Sequence, residues 1–283
     1  MKSEIRDLIP PIIGLGNDWT IFEYEVKKRF EGDFPEPYSM PVSIVIPVYN
    51  RKEKLSKTLA AITHQTYPLD LIEIIIADDG SSDNPEELIE TFSQYFPLHY
   101  IRQDDEGYRL SEIRNKGVKA ANFEQIIILD CDMLPLPTLV ESYMKYAHVS
   151  PKAVLIGGRR YVNTDDISYT DILENIGVAL SLPSLRTDTG KIPTDDLPPS
   201  EDWRYKIYRS TNFLKNSKYP FRAFCGGNVC FHKNLIETIG GFDEDFAAWG
   251  AEDTEFGFRV YNHGFWLIQF SLFQINTFIM KIL

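Results

Sequence analysis

Asp130 and Asp132 stand two apart at the end of an apolar run, Ile126 to Leu129, with Cys131 between them. An extended chain at that point would bring both carboxylates to a hard divalent cation that also carries phosphates. Two further apolar runs end in comparable chemistry. Ser43-Ile44-Val45-Ile46 leads into Pro47-Val48-Tyr49-Asn50-Arg51, and Ile72 to Ala77 ends in Asp78-Asp79-Gly80-Ser81-Ser82. Carboxylates gathered in one crevice repel one another, so they need a cation or hydrogen-bond donors to hold them. The plainer use of each acid is to cap a helix or shape a turn. That reading is taken for Asp83 and Asn84 and for Asp243 and Asp245, and a D-x-D pair taken alone also favours it. For Asp79 both uses stay open.

The elements that would position these residues follow from periodicity. Leu55, Leu59 and Ile62 share one helical face, and so do Leu88, Ile89, Phe92 and Phe96, behind an N-cap at Asn84 and a first-turn proline at Pro85. A shorter strand is expected from His99 to Arg102, then a helix over Leu110 to Ala121. Strands apolar on both faces, alternating with helices, indicate an α/β fold with a mainly parallel sheet covered on both sides. In such a sheet ligands settle outside the carboxyl ends of the strands, where the acids above fall. From Thr164 to Tyr219 the rhythm breaks into a proline- and aspartate-bearing stretch, read as a long, partly mobile excursion of the kind used as a lid or binding loop. Regular structure resumes over Phe224 to Phe231. A short helix closed by Gly240-Gly241 follows, and another runs from near Glu252 to Gly264.

Composition narrows the functional classes. The 283 residues suit one large domain or two small ones, and 43% hydrophobic with 25% charged residues is ordinary globular usage. Lys and Arg total 29 against 41 acids, a formal charge of −12, which argues against bulk attraction to nucleic acid or anionic lipid and leaves only a local basic patch open. Three cysteines without a C-x-x-C pair argue against a disulfide scaffold or zinc site and make a reducing cytosol the default compartment. Gly14-Leu15-Gly16 has Trp19 where a dinucleotide fingerprint needs its third glycine, and no Walker-type loop occurs. A bound nucleotide would therefore be held without a glycine cradle, which makes a metal bridge to its diphosphate the natural device. The N-terminal apolar stretch is short, carries Pro10 and Pro11 and follows two acids, so it reads as a poor signal peptide. Trp19 to Phe30 is expected to form a helical arm. Phe265 to Leu283 reads as a core strand leading into an atypical apolar tail, with a membrane-associated tail as the second reading.

Taken in order, Ser43 to Arg51, Asp78-Asp79-Gly80-Ser81 and Asp130-Cys131-Asp132 resemble family 2 glycosyltransferases of the GT-A fold. Gly107-Tyr108-Arg109-Leu110 with Arg114-Asn115, Ile127 to Met133, Phe221 to Asn228 and Trp249-Gly250-Ala251-Glu252-Asp253 are similar to the N-acetylhexosamine-transferring module of bacterial chondroitin and hyaluronan synthases. The resemblance divides the chain into a helical arm (1–41), a GT-A domain (42–266) and the apolar tail (267–283). It implies an inverting transfer of a sugar, GalNAc or GlcNAc, from a UDP-sugar donor to a glycan acceptor in polysaccharide synthesis. Pro47, Tyr49 and Arg51 would border the uridine, and Asp79 would hydrogen-bond the uracil. Tyr108 and Arg114 would hold the nucleotide. Asp130 would sit by the ribose and the metal, Asp132 would ligate Mn²⁺ or Mg²⁺, and Cys131 would be a small spacer between them.

Gly226-Gly227-Asn228 would either let the backbone approach the donor sugar or form a tight strand turn. Trp249 would either stack on an acceptor sugar or sit in the core. Asp253 would be the general base, with Glu252 as a supporting acceptor-site carboxylate. Such enzymes commonly work beside a membrane export system, so peripheral association at the inner membrane face is a further expectation. One feature departs from the pattern. The resembling enzymes complete the metal site with a histidine well beyond the Glu-Asp pair, whereas the last histidine here is His263, expected at a helix C-terminus. Two outcomes follow. Either the tail is truncated or divergent, or metal binding is weaker and completed by water; the competing expectation is a noncatalytic sugar- or nucleotide-binding relative.

Overall fold

A computed structural model describes residues 16–32, 35, 38–183, 185, 202, 204–269 and 278–282. Its centre is a seven-stranded sheet. β1 (Val42–Val48), β2 (Ile72–Asp78), β3 (Leu98–Arg102) and β4 (Gln125–Leu129) form its parallel half. β6 (Ala153–Ile156), β8 (Asn228–His232) and β9 (Trp266–Gln269) complete it in the order β3-β2-β1-β4-β8-β6-β9. Only β8 runs against its neighbours. β1, β2 and β4 are buried along their whole length, as strands covered on both faces must be.

Helices cover both faces. α1 (Thr20–Phe30), α2 (Lys52–Ile62), α3 (Leu88–Phe92) and α5 (Leu139–Val149) pack with Ile44, Ile46, Ile74 and Ile127 in one core cluster. On the other face α4 (Leu110–Ala120), α9 (Asn234–Ile239) and α10 (Glu252–Asn262) pack with Val45, Ile75, Ile128 and Val229. The alternation of odd and even strand residues between the two clusters is the period-2 geometry of a pleated strand. Gly117 is the contact point of α4 on β1, because a Cβ there would enter the space of the Val45 side chain. A small second sheet joins β5 (Met133–Pro135), β7 (Gly158–Val162) and β10 (Phe278–Ile282), with β10 in the middle.

Several expectations change in detail. The stretch after Thr164 holds α6 (Tyr169–Glu174), α7 (Gly177–Leu180) and α8 (Tyr205–Ser210), and most of 184–203 lies outside the described residues. α6 starts with a capping box in which Ser168 and Asp171 satisfy each other's backbone N–H groups. Asn84 is not a side-chain cap; it takes a left-handed conformation at φ 54°. Asp83 caps across space, accepting from the backbone N–H of Lys52 at the start of α2 at 2.8 Å.

The N-terminal arm is tied to the body at several points. The Asn17 side chain donates to Leu267 O at 2.5 Å and accepts from Leu267 N at 3.1 Å, and Trp19 Nε1 donates to Phe213 O at 2.9 Å. Among the described residues no helix is long and apolar enough to cross a membrane, and residues 270–277 of the apolar tail lie outside them.

Candidate active site

The parallel strands end together, so the residues after them meet at one edge. Asp79 N donates to Val48 O at 2.9 Å, and Gln103 N donates to Asp78 O at 3.0 Å. β8 arrives antiparallel, which brings its beginning to the edge where β4 ends: Asn228 pairs with Leu129, and Asp130 N donates to Gly227 O at 2.9 Å. The N-termini of α4 and α10 close the same edge. There a cleft of about 390 Å³ is lined by Pro47, Tyr49, Arg51, Asp79, Tyr108, Asp130, Cys131, Asp132 and Trp249, with Val48, Gly107, Leu110 and Ile113 as its apolar wall.

The two acids after β2 have different tasks. Asp78 is fully buried and accepts from Ser81 N and Oγ, Tyr100 OH and Arg102 Nη1, so it shapes the turn. Asp79 faces the cleft and accepts from Gln103 Nε2 at 2.5 Å and from Arg109 N at 3.1 Å. Burial pushes its carboxyl above the usual range, more than those two bonds pull it down. Tyr49 is half-exposed and donates to Asp105 at 3.0 Å. The buried Tyr108 hydroxyl has no hydrogen-bond partner among the described residues. Burial and then the Glu252 carboxylate push that phenol up to about 12, so it remains a donor at neutral pH.

At the other end, Arg51 Nη1 pairs with Asp132 Oδ2 at 2.9 Å; the arginine side chain is 50% exposed and the aspartate 8%. Arg114 is buried, not on the helix surface, and does not line the cleft. It reaches Asp253 Oδ1 at 2.9 Å and Asp130 Oδ1 at 3.4 Å, joining the two carboxylates through one guanidinium. Burial alone would lower its pKa, but the two acids outweigh it and hold the arginine firmly charged. Asp253 is thus joined through Arg114 to Asp130 of the cleft lining, with its own side chain still 20% exposed.

Gly226 and Gly227 are required by close approach. A Cβ on Gly226 would meet Asp253 Oδ1 at 2.5 Å, and one on Gly227 would enter the Asp130 carboxylate. Asn228 is not in the cleft. Its side chain is buried, accepting from Tyr143 OH at 2.6 Å and donating to Gly158 O at 3.4 Å. Trp249 is 87% exposed at the cleft mouth, so the core alternative does not apply. Glu252 is buried and accepts from Gly250 N at 3.0 Å, stapling the loop that carries Trp249.

Asp130 and Asp132 offer hard oxygen donors to one cleft. Among the described residues no group of three or more His, Cys, Asp and Glu side chains could hold a metal ion. This donor set still fits Mg²⁺ or Mn²⁺, because such ions take one or two carboxylates and complete their shell with phosphates and water. His263 is exposed with Nδ1 against Arg259 O at 2.8 Å, at the C-terminus of α10. Gln103, Asp105 and Lys116 are site neighbours that motif reading missed. The signal was available, since Gln103 follows β3 at the same carboxyl edge.

The mostly parallel seven-stranded sheet, flanked by helices and with its cleft at the carboxyl edge, has the GT-A fold. The solved structure of S. aureus TarS residues 1–349 in complex with UDP-GlcNAc has this fold, at a TM-score of 0.56 and 17% identity, covering 82% of this chain and 56% of that one. The sequence matches the family described as "Glycosyl transferase family 2" over residues 43–239, and the chain belongs to that family. Residues 209–280 also match the "N-terminal domain of galactosyltransferase". Chondroitin synthase of Escherichia coli is 38% identical over 258 residues, 90% of this chain and 37% of that protein. Hyaluronan synthase of Pasteurella multocida is 36% identical over 266 residues, 93% of this chain and 27% of that protein. The chain therefore spans about a third of the length of these curated relatives.

Proposed function

We propose that the chain is a transferase module that moves an N-acetylhexosamine from a UDP-sugar to a hydroxyl of a glycan acceptor, with inversion at the anomeric carbon. The observation that carries this reading is the single cleft in which Tyr49, Arg51 and Asp79 meet Asp130, Asp132 and Trp249. The relatives' names, chondroitin and hyaluronan synthase, support an N-acetylhexosamine donor and a growing polysaccharide as acceptor. Three free cysteines suit a reducing, cytoplasmic compartment, and peripheral contact with a membrane belongs to the same proposal.

The residues divide the work. Pro47, Tyr49 and Arg51 border the uridine, and Asp79 accepts from the uracil ring. Tyr108 offers its unpartnered hydroxyl to the nucleotide. Asp130 and Asp132 would hold Mn²⁺ or Mg²⁺, which when bound would neutralise charge on the departing diphosphate. Arg51 is exposed enough to leave Asp132 as the donor enters. Gly227 keeps the backbone close to the donor sugar, and Trp249 stacks on the acceptor. As the acceptor oxygen attacks from the face opposite UDP, its proton moves to Asp253, through the carboxylate oxygen that Arg114 does not occupy. Arg114 positions Asp253 and Asp130, and Glu252 fixes the Trp249 loop.

A UDP-release assay across a panel of UDP-sugars, with and without Mn²⁺, tests the reading. Turnover is expected to need metal and to fall at least about 100-fold in Asp132→Asn, the scale of a lost electrostatic stabiliser. A second reading, a donor-binding relative without turnover, is favoured by the ion pairs that occupy Asp132 and Asp253. Saturable UDP binding with no sugar transferred would select it.

A further inference from the structure

Gln103 joins two elements behind the nucleotide end of the cleft. Its side chain is buried, with Nε2 donating to Asp79 Oδ1 at 2.5 Å and Oε1 accepting from Lys116 Nζ of α4 at 2.9 Å. Chemistry dictates this orientation. An ammonium only donates, so the amide oxygen must face Lys116 and the amide NH₂ must face Asp79. Lys116 is itself held by Glu112 at 2.7 Å. The second oxygen of Asp79 accepts from Arg109 N at 3.1 Å. Asp79 therefore meets two donors, and its remaining lone pairs are kept for accepting.

We propose that Gln103, oriented by Lys116, is a positioning residue that holds Asp79 as a pure acceptor and so makes the cleft select uracil over cytosine. The inference rests on the reading that Asp79 meets the donor's base. Uracil presents a ring N3–H that donates to a carboxylate, whereas cytosine presents a lone pair at N3. A site built to accept from an N–H discriminates strongly against an analogue that lacks it, because its buried polar group is then left unmatched. Without the amide, the Asp79 carboxylate loses a charge-assisted bond and the direction that bond imposes. A glutamate at the same position sets two carboxylates together. Like charges in contact favour a shared proton, and a protonated pair can donate to cytosine N3.

Isothermal titration of UDP and of CDP into the 283-residue chain tests this, with Gln103→Leu, Gln103→Glu, Lys116→Met and Lys116→Arg. The wild type is expected to prefer UDP. Gln103→Leu should weaken UDP binding about tenfold while leaving CDP within about twofold. Gln103→Glu should lower the UDP-to-CDP ratio further, Lys116→Met should also lower it, and Lys116→Arg should restore it. A merely structural role for Gln103 would weaken both nucleotides together and leave the ratio unmoved. Lys116 is 46% exposed, so its variants keep the test readable if the buried glutamine proves needed for folding. An unchanged ratio in both Gln103→Leu and Lys116→Met overturns the inference. A wild-type chain that binds neither nucleotide overturns the nucleotide-sugar reading beneath it.

Discussion

Asp253 and Asp79 show how position alone separates two carboxylates of one site. Asp253 is held through one oxygen by Arg114. Asp253→Asn keeps the shape and the hydrogen bonding capacity on that side but removes the proposed proton acceptor. UDP binding should persist while transfer falls by about 10²–10⁴, the usual scale for general-base assistance; transfer at the wild-type rate would remove Asp253 from the mechanism. Asp79 gives a pH signature instead. Burial raises its pKa in the folded chain, with Asp105 adding to the rise and Gln103 and Arg109 opposing it. Its contribution to stability is therefore present below the unfolded value of about 4 and is lost as pH rises through the higher folded value. UDP affinity should run the other way, growing as pH rises through the same value, because in the proposed contact only the anion accepts from the base. Calorimetry across that window should show the rise in wild type and a flat profile in Asp79→Asn.

Elements were legible where local pattern and final environment agree. The runs at Ser43, Ile72 and Ile126 are apolar on both faces, and β1, β2 and β4 are buried on both faces. α10 begins at Glu252 as its acidic first turn suggests. The antiparallel entry of β8 was not legible, because a strand's direction is set by its connections and neighbours and not by its own residues. The same holds for the β5–β10–β7 sheet, whose partners are far apart in sequence. α6 could have been found from Ser168 and Asp171, a capping box with aspartate in place of the more usual glutamate. The site followed the same rule. Acids at strand ends were readable, whereas the Arg114 bridge and the inward turn of Asn228 depend on which helix and strand lie behind them. α4 carries both Arg114 and Lys116 and is set against β1 at Gly117. Gly117→Ala should overpack that contact and cost about 1–3 kcal/mol by urea unfolding, with nucleotide affinity falling as the helix shifts outward.

At the scale of the whole molecule, residues 16–30 belong to the body they pack on. Trp19, Phe22 and Val26 are essentially fully buried, and Lys215 lies over the Trp19 ring at 4.3 Å. Trp19→Ala should cost about 3–5 kcal/mol, in the range for emptying a large aromatic site in a core, and denaturant midpoints would show it. The arm also reaches the last strand of the main sheet. Asn17 meets both backbone polar groups of Leu267 with one amide, in the manner of a neighbouring strand. A sheet border with open N–H and C=O groups is a template on which a second chain can add itself. One asparagine planted there blocks such recruitment at the centre of β9. That guard comes from a residue 250 positions away in sequence.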